Sequence, residues 1–192
     1  MQIKDFSDLI SGYTFRDAIE KDPNGDLVVL QAKDISSDKM IEGVDDLTQI
    51  SSNRITSYKN FLQKGDVLIV ARGMKTGVFR STVFNSDASN VIVSSSVHII
   101  RIKDEKVLPE YLTYYLNSKY GQFKITQNVS GSYIGSLPKN NLGDMEIPIL
   151  DLKKQQTIID LHRNIKKQRE ILDRKNNIKE NIISATFKNL TA

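Results

Sequence analysis

The sequence predicts an α/β (α+β) globular domain over residues 1–150, followed by one long α-helix over residues 151–192. Three observations lead there. Short apolar runs rich in Val and Ile, such as Leu27 to Ala32 and Val67 to Ala71, are bounded by turn residues and have the length of buried strands. The run Ile147-Pro148-Ile149-Leu150 has to be extended, because Pro148 has no donor and pushes the residue before it out of the helical region. Between Asp151 and Ala192 there is neither Pro nor Gly. Asp151 stands at an N-cap position, and Gln155 and Gln156 open a helix of roughly 38 residues, roughly 57 Å long at the α-helical rise.

Taken in order, residues 1–20 begin polar, with Phe6, Leu9 and Ile10 at helix-like spacing, and turn at Gly12. Asp22-Pro23-Asn24-Gly25 is a turn signal, and the first buried strand follows it. Ser36 to Asp46 is polar and reads as loop. Lys64-Gly65-Asp66 is a second turn, leading into the strand Val67 to Ala71. Asn90 to Ile102 holds two strand-like runs joined by Ser94-Ser95-Ser96, and His98 alternates with Val97 and Ile99 as a sheet-face residue does. Leu108-Pro109-Glu110 opens a helix, with Pro at a permitted first-turn position. Leu112 and Leu116 form one face of it, and Tyr111 and Tyr115 its neighbour. The tyrosines there read as amphipathic packing in preference to base stacking. Gly121 closes the segment, and Phe123 to Val129 is ambiguous between helix and strand.

Charge is unevenly spread. The net charge is +4, yet residues 151–192 carry ten Lys/Arg against five Asp/Glu, which leaves seventeen against eighteen in residues 1–150. Residues 1–50 hold five basic and eleven acidic side chains, and residues 51–80 hold six and one. A nucleic-acid reading therefore needs a local patch. Arg72-Gly73-Met74-Lys75-Thr76-Gly77 supplies one: a basic pair within a glycine-flanked loop directly after a buried strand, with Arg80 beyond it. It lacks the spacing and final Lys of a phosphate-binding P-loop.

In the long helix the apolar residues fall at 158, 161, 165, 172, 178, 182 and 185, close to an alternating three–four rhythm, with Gln168 and Lys175 in the seam. A domain of this size cannot cover so long a stripe, so the helix wants a partner helix. Ile158, Leu161, Ile165, Leu172, Ile178 and Ile182 are the expected pairing residues.

Catalytic signatures are missing: there is no G-x-S-x-G, no H-E-x-x-H and no Gly-rich nucleotide fingerprint. Two histidines single out no metal site, and the absence of cysteine removes disulfides and thiolate ligands. The start has no signal-peptide pattern and no run approaches the roughly 18 apolar residues of a spanning helix, so a cytoplasmic protein without a membrane partner is expected.

Four stretches together resemble the DNA-specificity (S) subunit of type I restriction–modification systems: IKDFSDLISGYTF, LQKGDVLIVARGMKTG, VLPEYLTYYLNSKYGQ and GSYIGSLPKNNLGDMEIPILDLKKQQTII. The last is the most similar. In that family a Gly/Ser segment, a spaced Leu, an Ile-Pro-x-x-x-Leu run and a Gln-x-x-Ile close a target recognition domain and begin its helical spacer. Here those are Gly131-Ser132, Leu142, Ile147 through Leu152, and Gln156 through Ile159. Leu150 and Lys154 replace a second Pro and a Glu that the family often carries.

The resemblance covers nearly the whole chain but half of a typical member, which joins two recognition domains and two spacers. It implies a half-subunit without catalysis of its own, which binds double-stranded DNA and no cofactor. The implied partners are methyltransferase (M) subunits using S-adenosylmethionine and a restriction (R) subunit using ATP and Mg. Two copies paired antiparallel through the helix would form a homodimer, reading a bipartite, symmetric target with half-site centres about one turn, roughly 10 bp, apart. Arg72, Lys75, Arg80, Lys124, Ser132, Tyr133 and Lys139 are the expected DNA-binding residues. Two other classes fit less of the chain: a helical scaffold or adaptor with no DNA role, and a stand-alone DNA endonuclease.

Overall fold

The computed structural model describes residues 1–56, 60–74, 78–130 and 134–190. Its strands are β1 Ser7–Ser11, β2 Leu27–Leu30, β3 Thr48–Ile50, β4 Val67–Val70, β5 Arg72–Met74, β6 Ser81–Val83, β7 Val91–Val93, β8 Val97–Ile102 and β9 Ile134–Ser136. Its helices are α1 Ile3–Phe6, α2 Pro109–Asn117, α3 Lys119–Gln127, α4 Lys139–Asp144 and α5 Leu152–Leu190.

The central sheet has the order β1-β8-β4-β6 and is antiparallel throughout. Both of its faces are covered, which is why β4 reads as an unbroken apolar run. Side chains alternate across a strand, so Val67 and Ile69 enter one core with Ile100, Phe6, Leu112 and Leu116, under the helices. Leu68 and Val70 enter a second core with Ile99 and with Val28, Leu30, Val91 and Val93 from another sheet, β3-β2-β7. Within that sheet β2 runs parallel to β7 and antiparallel to β3. Its outer face carries a third, smaller cluster of Leu27, Val29, Ile50 and Ile92. Helices, sheet, sheet and coil thus stack as layers around two main cores.

The turns do what their residues dictate. Gly65 has φ +93, a conformation that side-chain-bearing residues rarely adopt, and it opens the turn into β4. Beside it the almost fully buried Asp66 carboxylate accepts from Arg101 Nε and Nη2 at 2.8 and 2.7 Å, and from the Gln63 N–H at 2.8 Å. That ion pair fastens the turn to β8. The Asp22–Gly25 turn forms as expected, closed by Gly25 N–H to Asp22 O at 2.9 Å.

Three expectations need correcting. Phe6, Leu9 and Ile10 do not share a helix: α1 ends at Phe6, and Ser7 to Ser11 pairs with β8, because that edge of the central sheet needed a strand. Gly121 does not end a helix. It lies inside α3, where a Cβ would stand 2.0 Å from the Tyr115 carbonyl oxygen, so close packing of α3 on α2 requires Gly there. Ser118 divides the two helices: its N–H donates to Tyr115 O, and its Oγ accepts from Gly121 N–H at 3.0 Å. Finally, Arg72 to Met74, expected as loop, is a strand, and its partner is β9, some sixty residues away.

The exit behaves as read. Ile147 N–H donates to Met1 O, Asp151 Oδ1 accepts from Lys154 N–H at 3.0 Å as an N-cap, and α5 then runs for 39 residues. The Lys154 ammonium and backbone bonds hold the Asp151 carboxyl below its usual range.

Candidate nucleic-acid interface

The two-stranded ribbon β5–β9 leaves the central sheet with the register Arg72↔Ser136, Gly73↔Gly135 and Met74↔Ile134. Its base is fixed by the fully buried Leu137, whose N–H donates to Ala71 O at 2.9 Å and whose carbonyl lies 2.8 Å from His98 Nε2. A second pair of backbone bonds, Ser130 N–H to Ser136 O and Ser136 N–H to Ser130 O, holds the chain entering the ribbon. Lys75, Ser132 and Tyr133 lie outside the described residues.

Arg72 and Lys139 are brought together at the ribbon's base. Both are exposed, neither forms an ion pair among the described residues, and both act electrostatically on His98. Burial pushes the His98 imidazole below its ordinary range; the Leu137 carbonyl opposes this, and the positive charges of Lys139 and Arg72 add to it. Two exposed cations, without an ion pair among the described residues, stand beside a strand pair in which Gly73 faces Gly135. That combination suits a polyanion, since phosphate contacts come from Arg, Lys and backbone N–H groups.

Two further expected DNA-binding residues, the exposed Arg80 and the half-buried Lys124, also make contacts within the chain. Arg80 donates from Nη2 to Ala32 O at 3.1 Å, tying the chain before β6 to the turn after β2. Lys124, half-buried on α3, places Nζ 5.7 Å from the Tyr120 ring centroid. Among the described residues no group of three or more His, Cys, Asp or Glu side chains could hold a metal ion.

The helix root is built from residues to which the sequence reading gave no anchoring role. Gln155 is fully buried: its Oε1 accepts from Leu108 N–H at 2.9 Å, and its Nε2 donates to Lys106 O and Leu150 O, each at 2.7 Å. Ile159, one turn on, is buried beside it. Gln156, the expected counterpart of the family's Gln, is exposed and bonds only Asp160. Next, His162 stacks on Tyr114 with centroids 4.3 Å apart, and Arg163 bonds both Glu110 carboxylate oxygens at 2.7 Å. Beyond Arg163 the helix and the domain diverge around an open groove of about 920 Å³, with Lys166, Arg169 and Asp173 on its helical wall.

The expected pairing residues lie along this departing helix. Leu161, Ile165, Leu172, Ile178 and Ile182 are between 46% and 59% exposed, and Ile158 is half-buried at the root. Ile171, Ile183 and Phe187 are exposed as well, so the apolar surface is broader than one narrow seam. No helix among the described residues is long and apolar enough to cross a membrane.

No curated protein matches the chain. Solved structures do. A chain from a type I R-M system, studied for its complex assembly and conformational transition, superposes with TM-score 0.65 at 18% identity, over 91% of this chain and 39% of that one. The type I restriction–modification S subunit from M. genitalium gives 0.56 at 17% identity, over 91% and 40%. The HsdS subunit from Thermoanaerobacter tengcongensis gives 0.57 at 18% identity, over 91% and 38%. The chain thus spans about two fifths of the length of these structures, and at such identities they establish its fold. The sequence signature of the type I restriction modification DNA specificity domain matches residues 1–181. This mixed α/β domain with its long departing helix therefore belongs to the type I restriction–modification DNA specificity family.

Proposed function

We propose that this chain is the address of a type I restriction–modification enzyme. Residues 1–150 read one half of a bipartite DNA target, and residues 151–192 pair with a second copy and dock the methyltransferase. The observation that carries this reading is a 39-residue helix rooted at one end in a DNA specificity domain and bearing an unpaired apolar stripe along its free length. Such a stripe favours a partner helix over exposure to water. With the domain at the N-terminal end of α5, antiparallel pairing sets two domains at opposite ends of a rod about 58 Å long. The dyad of that pair matches the dyad of a duplex, so the target is symmetric. Catalysis, S-adenosylmethionine and ATP belong to the partner subunits in this scheme.

Co-expression with a methyltransferase subunit, followed by mapping of methylated bases, tests the reading. The expected product is a palindromic, interrupted motif; a non-palindromic motif written with this chain as the sole specificity subunit rules out the symmetric pair. Methyl transfer by the purified chain alone would place chemistry where the reading puts none.

The ribbon supplies a second test. Arg72→Ala with Lys139→Ala is expected to weaken duplex binding, and each lost phosphate contact should flatten the salt slope by about 0.9. A double variant whose slope equals the parent's would remove the ribbon's base from the DNA interface.

A further inference from the structure

His98 stands in β8 where the ribbon leaves the sheet. It is 7% exposed, on a sheet face otherwise occupied by Ile69 and Ile100. A carbonyl only accepts, so the 2.8 Å contact to Leu137 O puts the proton on Nε2 and leaves Nδ1 as a bare acceptor. Nδ1 is buried and has no partner among the described residues. An apolar side chain would suit the surrounding core better, since a buried polar atom without a hydrogen bond is unfavourable. Something other than packing accounts for an imidazole here.

Its contacts indicate what. Leu137 is pinned at both backbone groups, its N–H by Ala71, the residue before Arg72, and its carbonyl by His98. Ser136, on one side of Leu137, is the register partner of Arg72; Pro138 and Lys139 follow on the other. The bond from His98 thus helps to fix the backbone between Ser136, the register partner of Arg72, and Lys139. The register neighbours of His98 are Ser11 in β1 and Ile69 in β4, its ring bonds the Leu137 carbonyl, and the charges acting on it are Lys139 and Arg72, both positive.

We propose that His98 is the positioning residue of the ribbon: Nε2–H holds Leu137 so that Arg72 and Lys139 meet DNA phosphates together, and Nδ1 takes up a solvent proton when those phosphates are bound. This rests on the reading that the ribbon faces DNA. In the free chain burial, and after it the two cations, hold the imidazole's pKa below its ordinary value of 6.5. Bound phosphates offset the cations and raise the proton affinity, so by linkage DNA binding tightens as pH falls below that ordinary value. The stability sign is opposite. Neutral His98 contributes fully above the unfolded value, and that contribution is lost as pH falls towards the folded one.

The test uses the full chain and a labelled mixed-sequence duplex of about 24 bp at low salt, where phosphate contacts dominate. His98→Leu is expected to weaken binding by about tenfold, and His98→Gln, whose amide NH₂ replaces the Nε2–H donor without titrating, to recover it to within about threefold. Between about pH 7.5 and 5.5 the parent should tighten at least about threefold more than His98→Gln. A His98→Gln variant as weak as His98→Leu, or parallel pH profiles for parent and His98→Gln, overturns the proposal. If His98→Leu does not fold, the two pH profiles decide alone. The Arg72→Ala/Lys139→Ala variant separates the two ideas: if it binds like the parent, or the parent itself shows no salt-dependent binding, the DNA reading of this face fails. If it weakens binding while both His98 variants match the parent, the His98 proposal alone fails.

Discussion

Replacing Ile165 and Leu172 together by Asp is expected to leave the chain monomeric and unable to recruit a methyltransferase. Both residues are about half exposed on α5 in the single chain, so the variant should keep its fold. In an antiparallel pair they lie near the middle of the rod, and two copies bring four substitutions together. Each lost apolar side chain removes roughly 1.5–3 kcal/mol of burial, and each carboxylate entering the interface adds a desolvation penalty of several kcal/mol. The sum exceeds the roughly 8 kcal/mol that a micromolar dimer commands. Sedimentation of parent and variant at micromolar concentration, with co-purification of the methyltransferase, reads the result. A variant that stays dimeric places the pairing surface elsewhere, and a monomeric parent denies the homodimer itself. The broad spread of Ile171, Ile178 and Ile183 around the helix matters here: Gln168 and Lys175 in the seam would penalise registers that bury them.

Gln155→Leu is expected to be the most destabilising single change at the helix root. The substitution nearly conserves volume but strands the Leu108 N–H and leaves the Lys106 and Leu150 carbonyls without their donor. A buried polar group left unpaired costs about 1–3 kcal/mol, and three such groups with partial relaxation give about 3–5 kcal/mol. For a chain of this length that corresponds to a fall in Tm of roughly 10 °C. Gln156→Ala is the matched control. Its side chain is exposed and bonds only within the helix, so a change within about 0.5 kcal/mol is expected. Equal melting temperatures for the two variants would deny Gln155 its anchoring role. The change also loosens α5 from the domain, so specificity should suffer even where the chain still folds.

The buried strands β4, β7 and β8 were legible because they are β-branched runs between turn residues. Burial on both faces of the central sheet leaves β4 uniformly apolar, without alternation. The long helix was legible from what it lacks, Pro and Gly, and from Asp151 at its start. The ribbon was not. Arg72-Gly73-Met74 and Ile134-Gly135-Ser136 carry no strand pattern of their own, and they become strands by pairing across some sixty residues of chain. β1 was hidden by chance spacing of Phe6, Leu9 and Ile10. Gly121 misled in the opposite direction, because a glycine demanded by packing looks the same in sequence as one that ends a helix. Of two adjacent glutamines, nothing local distinguishes the buried one. Only the four-residue step from Gln155 to Ile159, one turn of helix, places both on the domain-facing side.

Residue 1 lies beside the root of α5: Ile147 N–H bonds Met1 O at 2.9 Å, and Gln2 bridges Glu146. In an antiparallel pair the far end of each helix arrives at the partner's root, and hence near the partner's first residue. A few linker residues would then splice the two copies into one polypeptide without moving either domain. Duplication followed by fusion gives a path from a symmetric reader to an asymmetric one, since the two linked halves are free to diverge. A tandem of two copies joined by a short Gly/Ser linker is accordingly expected to sediment as a single compact particle with a concentration-independent Tm. A tandem that dimerises further would break this geometry. Under the proposed antiparallel pairing, address and ruler would be exchangeable cassettes, and new specificities could be assembled by recombination at the root instead of by remaking a binding surface.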